Sequence, residues 1–271
     1  YALALSQRAG SGDDAPGQGA TAPLTAPLSL SFTKLDAYLR CPRCFYLSER
    51  FGLREPPGVN MALGSAAHVA LHRYYAEFQR ADAEGAPTPG VERLLDLARA
   101  ALEEAWPRSL EIPPDLWPQL RGQLRTMHAS LHDPAAHLLH LEQTVRMPYE
   151  HRGIHKITAK LDRIDHAGPG RFRIIDYKTS DAGKTPRETH RAGKKGTGAW
   201  RDLQLPLYVA GMGGEYGEGA VIETGYVRLP ADPRLTGWIQ ADFGKAEMNE
   251  ALALAADDLL VVSPDVGGVV R

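Results

Sequence analysis

The sequence has few cysteines and lacks a long apolar run. Its 271 residues include only Cys41 and Cys44, which excludes an extensive disulfide framework. No apolar stretch reaches the roughly 18 residues that a membrane-spanning helix needs, and the first residues do not resemble a secretory signal. These absences predict a cytoplasmic protein that is not associated with a membrane.

An excess of charge of one sign is also absent. The formal net charge is -2 at pH 7, so the whole molecule has no strong electrostatic attraction to nucleic acid. Any binding of nucleic acid must therefore depend on local basic patches.

The beginning of the chain is rich in small and polar residues. Residues 6–29 contain Gly, Ala, Pro and Ser with scarcely any large apolar side chain, a composition that cannot bury a core. We therefore predict a flexible linker or tail over residues 1–28 and one domain over residues 29–271. The chain opens on Tyr1 without an initiator methionine, which suggests a piece of a longer polypeptide.

Hydrophobic periodicity separates a helical part from a β part. Helical spacing of apolar residues dominates residues 65–140, and we predict a helical insertion at about 80–140. Strands are predicted at residues 141–149, 154–165, 171–179, 221–229 and 238–243, with a short helix at 203–209 and a closing helix at 245–261. This order predicts an α/β domain with a mixed central sheet flanked by helices.

Two of the predicted strands bring charged residues together. Alternate residues of a strand face the same side, so Asp176 and Lys178 can share one site. A tight hairpin at residues 168–170 would place Asp162 opposite Asp176, or opposite Ile174 with Asp176 on the diagonal. In either register the two carboxylates share a face, with Cβ atoms roughly 5–8 Å apart, and can chelate one ion.

Oxygen ligands at a partly open site suit Mg²⁺ or Mn²⁺ better than Zn²⁺. Such an ion would activate water against a phosphodiester, while Lys178 would orient that water or stabilise the developing charge. The alternative is that Asp176 and Lys178 form an exposed strand ion pair, which is common and contributes little. The apolar run at residues 172–175 argues against it, because free charges are unusual at the end of a buried strand.

Four segments, in order along the chain, resemble the PD-(D/E)xK nuclease superfamily and specifically its RecB-like branch. Residues 64–68 (GSAAH) resemble a Gly-x-x-x-His motif on an early helix, and residues 160–165 (KLDRID) resemble the strand that carries the first acidic ligand. Residues 175–179 (IDYKT) resemble the Asp-Tyr-Lys core, and residues 204–208 (QLPLY) resemble the Gln-x-x-x-Tyr helix. Each motif alone is weak, but the ordered set is specific and covers residues 29–230.

The resemblance implies a restriction-endonuclease-like core and a Mg²⁺- or Mn²⁺-dependent deoxyribonuclease. Its substrate would be single-stranded DNA or duplex ends, cleaved in exonuclease fashion during repair, recombination or defence. By analogy, a helicase or other motor domain would lie in the same chain or in a partner. The implied metal ligands are His68, Asp162, Asp176 and the carbonyl of Tyr177; Lys178 would be catalytic, with Gln204 and Tyr208 supporting the lysine and the DNA backbone.

Several of these residues also have simpler interpretations. His68 lies four residues from His72, a spacing that can bind zinc, but no third ligand is near in the sequence. Apart from the resemblance, His68 is more simply a hydrogen-bonded helix histidine, and Gln204 and Tyr208 are packing residues one turn apart. Glu142 either approaches the metal as an extra acid or is an exposed strand residue.

Cys41 and Cys44 have the spacing of half a metal site. Several relatives in the RecB-like branch hold an iron–sulfur cluster with four cysteines, which this sequence does not contain. We therefore expect no such cluster within this chain and predict two buried structural thiols.

A segment rich in glycine and basic residues separates the lysine strand from the Gln204 helix. Most charge runs are solvated faces, but beside a metal site this one could neutralise phosphates, and its glycines would let it close as a lid or clamp. We predict a mobile loop that guides a single strand of DNA across the site. Its basic residues are Lys184, Arg187, Arg191, Lys194, Lys195 and Arg201.

Two other classes of function remain open. A non-catalytic DNA-binding or scaffolding module could keep the same fold, although it would have no need of Asp162, Asp176 and Lys178. A metal-dependent hydrolase of small phosphate esters is the other alternative, and the basic segment favours a long polyanion over it.

Overall fold

The computed structural model describes residues 28–31, 34, 37, 41–53, 58–107, 110–133, 136–151, 154–179, 184–217 and 220–261. Nearly all of the predicted linker over residues 1–28 lies outside these ranges.

Within these ranges, six strands form one mixed sheet. They are β1 (Leu28–Ser31), β2 (His137–His151), β3 (Ile154–Gly168), β4 (Arg171–Lys178), β5 (Val221–Arg228) and β6 (Gly237–Gln240). β3 is antiparallel to β2 and β4 but parallel to β1, whereas β5 is parallel to β4 and antiparallel to β6. The predicted mixed sheet is confirmed, with β2 beginning at His137 rather than at residue 141.

β3 has different partners along its two edges. One edge pairs with β2 over nearly its whole length, from Ile154 to His166. The other edge is shared, because β1 pairs with residues up to Thr158 and β4 pairs only from Arg163 onward. In the part of the chain that the structure describes, no strand pairs with the interval between them, and Asp162 lies at its end. The sheet therefore opens beside Asp162.

Helices cover both faces of the sheet. In the described ranges they are α1 (Pro42–Phe51), α2 (Val59–Glu84), α3 (Val91–Ala105), α4 (Leu116–Leu131), α5 (Pro186–His190), α6 (Gln204–Tyr216) and α7 (Lys245–Val261). α3 and α4 fall in the predicted helical insertion; that this region is an insertion stays a prediction. None of the helices described has the length and apolar character needed to span a bilayer.

The two faces of β4 pack into two different apolar cores. Ile175 and Tyr177 pack with α2, α3 and α4, while Ile174 packs with α6 and with Tyr226 of β5. Consecutive residues of β4 thus face opposite layers, as strand geometry requires. Burial of each large apolar side chain stabilises the fold by roughly 1.5–3 kcal/mol, so these cores fix the direction in which every residue of β4 points.

Cys41 and Cys44 form a disulfide at the start of α1. Cys41 is half-buried and Cys44 is exposed, so the prediction of two buried thiols is wrong. Both residues lie at the first turn of a helix, where Cys41 Sγ also accepts a hydrogen bond from Cys44 N at 3.2 Å. Neither side chain reaches a core from that position.

Candidate functional site

Asp162 and Asp176 lie where β3 and β4 separate. The strands pair Arg163 with Ile175, and the same register continued by one residue places Asp162 opposite Asp176. This is the first of the two registers considered from the sequence. In place of a further ladder bond, Asp162 Oδ2 accepts a hydrogen bond from Tyr177 N at 3.0 Å. The Asp162 carboxylate therefore stands in the gap between the strands.

The carboxylate of Asp176 is buried, with 2% of the residue exposed. Burial raises the pKa of Asp176 and the charge of Asp162 raises it further, against the opposing effects of Lys178 and His68. Asp176 Oδ2 lies 2.7 Å from Lys178 Nζ but, among the described residues, it accepts no hydrogen bond of normal geometry. A buried carboxylate oxygen in this state would be stabilised by a bound cation.

Lys178 lies between a carboxylate and an amide. Its Nζ is 2.7 Å from Asp176 Oδ2 and donates to Gln204 Oε1 at 3.2 Å. Burial disfavours the ammonium form, but the charge of Asp176 and then that of Asp162 raise the pKa of Lys178 above its usual value. Because 31% of the side chain is still exposed, the ammonium group borders the solvent from which a substrate would approach.

His68 reaches the same carboxylates from α2. Its Nδ1 is 3.3 Å from Asp162 Oδ1, and its Nε2 is 2.9 Å from the carbonyl oxygen of Tyr177. Burial disfavours the imidazolium, but the hydrogen bond to Asp162 and the charges of Asp162 and Asp176 raise the pKa of His68 above its usual value. The structure therefore brings together the side chains and the carbonyl group that were predicted as metal ligands.

Gly64 explains how α2 comes so near to the end of β4. A Cβ atom at this position would lie 3.2 Å from Thr179 Oγ1, which is tighter than ordinary van der Waals contact. The absence of a side chain lets the helix approach the strand closely, and His68, one turn further on, then meets the carboxylates.

Gln204 and Tyr208 connect the lysine to the sheet. Gln204 Nε2 donates to Tyr208 Oη at 2.8 Å, and Tyr208 Oη donates to the carbonyl oxygen of Lys160 at 2.9 Å. The predicted support of Lys178 by Gln204 has a direct contact in the structure. Tyr208 is only 4% exposed and its hydroxyl is bonded within the protein, so it is not positioned to contact a DNA backbone as the resemblance implied.

Three polar residues behind Lys178, two of them buried and one partly exposed, were missed by the sequence analysis. They are Asp202, His190 and Tyr226, linked by hydrogen bonds to one another and to the start of α6. An Asp just before a helix is a known N-terminal signal, so Asp202 could have been noticed. No local pattern relates His190 or Tyr226 to the lysine.

Glu142 is not the exposed strand residue that one interpretation allowed. Its side chain is 22% exposed, is ion-paired with Lys160 and lines a small cavity together with His68, His72 and Asp162. The backbone of Glu142 has φ +54°, a conformation that L-residues rarely adopt. Glu142 therefore lies beside the candidate metal ligands, whereas its contact with a metal stays a prediction.

The segment from Lys184 to Arg201 is folded. α5 is followed by a short 3-10 turn at Lys194–Gly196 and by a bridge between Arg191 and Trp200. A Cβ atom on Gly196 would lie 2.4 Å from the carbonyl oxygen of Arg187, so this glycine permits close packing. The prediction of a loop is therefore wrong for residues 186–190 and 194–196, which are helical; the mobility of the segment and its guidance of a DNA strand stay predictions.

The predicted DNA-binding residues of this segment fall into two groups. Arg187 and Arg191 each donate to Glu247 at 2.7 Å, and Arg201 donates to the carbonyl oxygen of Thr189 at 3.0 Å. These arginines are engaged within the protein, which reduces what they can offer to phosphates. The lysines of the segment have exposed side chains; they are Lys184, Lys194 and Lys195.

The donor set fits a hard divalent cation. Carboxylate and carbonyl oxygens with one imidazole nitrogen suit such an ion. As they stand, the described residues contain no group of three or more His, Cys, Asp or Glu side chains arranged to hold a metal. His68 Nε2 and the carbonyl oxygen of Tyr177 are hydrogen-bonded to each other, so the two atoms would have to separate to bind the same ion.

Comparisons with known proteins identify the superfamily and support the fold. No curated protein sequence matches the chain significantly. A solved structure from Eubacterium rectale, provisionally named an exonuclease, has 12% identity and a TM-score of 0.55, covering 86% of this chain and 79% of that one. The structure of SSO0001 is matched at 15% identity over 84% of this chain and 82% of that one, but its TM-score of 0.31 carries no argument. The sequence model described as the PD-(D/E)XK nuclease superfamily matches residues 29–262; because this is most of its length, the chain belongs to that superfamily of nucleases.

Proposed function

We propose that the protein is a deoxyribonuclease that hydrolyses phosphodiester bonds with Mg²⁺ or Mn²⁺. The observation that carries this proposal is the meeting of Asp162, Asp176 and Lys178 at the opening between β3 and β4. Asp176 is buried there, and among the described residues its Oδ2 has no hydrogen-bond partner of normal geometry. Membership in a superfamily whose nucleases generally use divalent metals supports the same conclusion.

Different residues of the site would bind the metal, orient the attacking water and restrain the lysine. His68, Asp162, Asp176 and the carbonyl oxygen of Tyr177 would hold the ion, which when bound supplies Lewis-acid polarisation of the phosphoryl oxygen and a more acidic water. Lys178 presents its ammonium group beside the ligands, where it orients the attacking water and stabilises the charge that develops on the phosphate. Gln204 restrains that ammonium group by accepting its hydrogen bond.

We further propose an exonuclease-type activity on single-stranded or unwound DNA, within a RecB-like nuclease domain over residues 29–271. The order of the motifs at residues 64–68, 160–165, 175–179 and 204–208 supports the RecB-like branch. The likeness to a structure provisionally named an exonuclease supports the type of cleavage. A role in cytoplasmic repair, recombination or defence beside a helicase or other motor follows by analogy with that branch.

The test measures cleavage of labelled DNA by the wild-type protein and by two variants. Single-stranded, duplex, linear and circular substrates are incubated with Mg²⁺, Mn²⁺ or EDTA. Asp176→Ala and Lys178→Ala should each lose roughly 10²- to 10³-fold in kcat, the scale found for removal of one transition-state-stabilising group. Linear substrates should be degraded from their ends, and circular ones should survive.

Exposed residues of the same types provide controls. Asp115→Ala and Lys245→Ala alter side chains on the surface and should leave kcat unchanged. Cleavage in EDTA, or undiminished activity of both Asp176→Ala and Lys178→Ala, would contradict the proposal. If circular DNA is cleaved as fast as linear DNA, the proposed nuclease activity would stand and the proposed exonuclease type would be excluded.

A further inference from the structure

Lys178 has two neighbours besides Asp176 that restrain its ammonium group. Gln204 Oε1 accepts a hydrogen bond from Nζ at 3.2 Å, and the ring of Tyr226 lies with its centroid 5.1 Å from Nζ. A lysine side chain is a flexible four-carbon stem that carries a point charge. Its position is therefore only as well defined as the groups that surround it.

The ring of Tyr226 is itself held by a fully buried histidine. Tyr226 Oη lies 2.5 Å from His190 Nε2, and His190 is 0% exposed. His190 Nδ1 lies 2.9 Å from the carbonyl oxygen of Asp202, which can only accept, so Nδ1 carries a proton. In a neutral imidazole, Nε2 then accepts the hydroxyl proton of Tyr226.

Asp202 also holds the other neighbour of the lysine. Its Oδ1 accepts a hydrogen bond from Gln204 N at 2.8 Å and lies 3.1 Å from His190 Nδ1. Burial opposes ionisation of this carboxyl group, but its interactions with His190, the hydrogen bond from Gln204 N and the charge of Lys178 together lower the pKa of Asp202. One carboxylate thus fixes both the start of α6, which carries Gln204, and the histidine behind Tyr226.

We propose that Asp202, His190 and Tyr226 form a relay of hydrogen bonds that positions Lys178 for the nuclease reaction. This inference rests on the proposed function. The three residues would act through Lys178 and not on the substrate, so they are positioning residues: they hold the ring and the amide that neighbour its ammonium group. Loss of the relay would leave Lys178 chemically intact but displaced, and displacements of about 1 Å can cost roughly 100-fold in rate.

A double-mutant cycle separates positioning from a general structural role. Tyr226→Leu removes both the ring and the hydroxyl group, and its effect is measured in the wild type and in the Lys178→Ala background under single-turnover conditions. We expect a roughly 10- to 100-fold loss of the cleavage rate constant, with an unchanged half-saturating concentration, when Tyr226→Leu is made in the wild type, and no further loss when Lys178 is absent. A merely structural residue would cause the same fold loss in both backgrounds, and that result would overturn the proposal.

A conservative variant covers the case in which Tyr226→Leu does not fold. Tyr226→Phe keeps the ring beside Lys178 and removes only the hydrogen bond to His190. Its expected loss is about 3- to 10-fold, the scale of one hydrogen bond, and this loss should again vanish in the Lys178→Ala background. Equal losses in both backgrounds would count against the relay here too.

The chain offers a matched control at the other end of α6. Tyr216 Oη lies 2.8 Å from His140 Nε2, so Tyr216→Phe removes the same kind of tyrosine–histidine contact. Tyr216 is twelve residues after Gln204, roughly 18 Å along the helix. Its variant should keep the wild-type kcat; a loss equal to that of Tyr226→Phe would show that any such contact matters and would overturn the proposal.

A spectroscopic readout tests the relay without relying on catalysis. The Tyr226 ring should shift the Lys178 Hε signals of a selectively labelled sample upfield; Tyr226→Phe should retain this shift and Tyr226→Leu should abolish it. If the wild type cleaves no DNA with any divalent ion, the proposed function fails while these spectra still test the position of the lysine. An unchanged Lys178 signal in Tyr226→Leu overturns the relay itself.

Discussion

Arg163 and Asp165 form a buried ion pair on β3, directly after Asp162. Arg163 Nε and Nη2 donate to the two carboxylate oxygens at 2.7 and 2.8 Å, and the residues are 5% and 8% exposed. The guanidinium carbon also lies 4.1 Å from the centroid of the Tyr75 ring. We predict that Arg163→Met lowers the free energy of unfolding by about 3–5 kcal/mol, because Asp165 remains as a buried charge without its partner.

The unpaired charge, rather than lost packing, should account for this magnitude. Methionine preserves much of the apolar stem of Arg163, so little cavity forms, whereas two charge-assisted hydrogen bonds disappear. The double variant Arg163→Met/Asp165→Leu should regain most of the loss, since well-packed apolar replacements of a buried ion pair are often neutral or stabilising. A domain typically has about 5–15 kcal/mol of stability, so the single variant would lose a large fraction of it.

Urea denaturation at pH 7, followed by tryptophan fluorescence and circular dichroism, measures these free energies. The surface provides a matched control, because Arg234 forms a similar bidentate pair with Asp232 two residues away on the sequence, with 89% of the arginine side chain exposed. Arg234→Met should cost less than about 1 kcal/mol. The reasoning is refuted if Arg163→Met costs no more than Arg234→Met, or if the double variant of the buried pair is no more stable than Arg163→Met alone.

Three further predictions concern the packing of the site and the acid stability of the fold. Gly64→Val should push α2 away from Thr179 and lower metal-dependent cleavage, with a smaller effect for Gly64→Ala, as measured by metal titrations of kcat. Gly225→Ala would place a Cβ atom 2.2 Å from a β6 carbonyl oxygen and should lower the free energy of unfolding by at least about 2 kcal/mol in urea. The hydrogen bond from Arg187 lowers the pKa of Glu247 from 4.5 to about 2, so its contribution to stability should be present above pH 4.5 and lost as the pH falls through 2. Wild type and Glu247→Gln should therefore converge in urea midpoint across that window; parallel curves would contradict the assignment.

Local periodicity accounts for the grouping of Asp162, Asp176 and Lys178, whereas His68, Gln204 and Tyr208 were predicted from the family resemblance. Alternation along β4 places Asp176 and Lys178 on one side, and either register of the hairpin places Asp162 on the same face as Asp176; the structure has the register in which they are opposite. These relations need only neighbouring residues and the geometry of a strand. The mixed sheet and the closing helix follow from the same kind of pattern, because periods of two and 3.6 residues are visible without knowledge of the tertiary fold.

Contacts between residues far apart in the sequence determine two features that were predicted incorrectly, the basic segment and the cysteine pair. Whether the arginines of the basic segment are free to contact DNA depends on Glu247, a residue distant in sequence that accepts hydrogen bonds from Arg187 and Arg191. The exposure of Cys44 depended on where α1 lies relative to the cores, which its spacing from Cys41 does not specify.

In the site, too, some features follow from local sequence patterns and others only from tertiary contacts. The sequence by itself determined which acids and which lysine share a strand face, because side-chain direction in a strand repeats every two residues. Only the tertiary structure showed that β3 and β4 separate beside Asp162, that His68 lies within hydrogen-bond distance of the Tyr177 carbonyl across 109 residues of chain, and that Tyr226 and His190 meet behind the lysine. Those contacts join residues far apart in the sequence, and their partners are selected by the packing of whole helices against the sheet rather than by any local pattern.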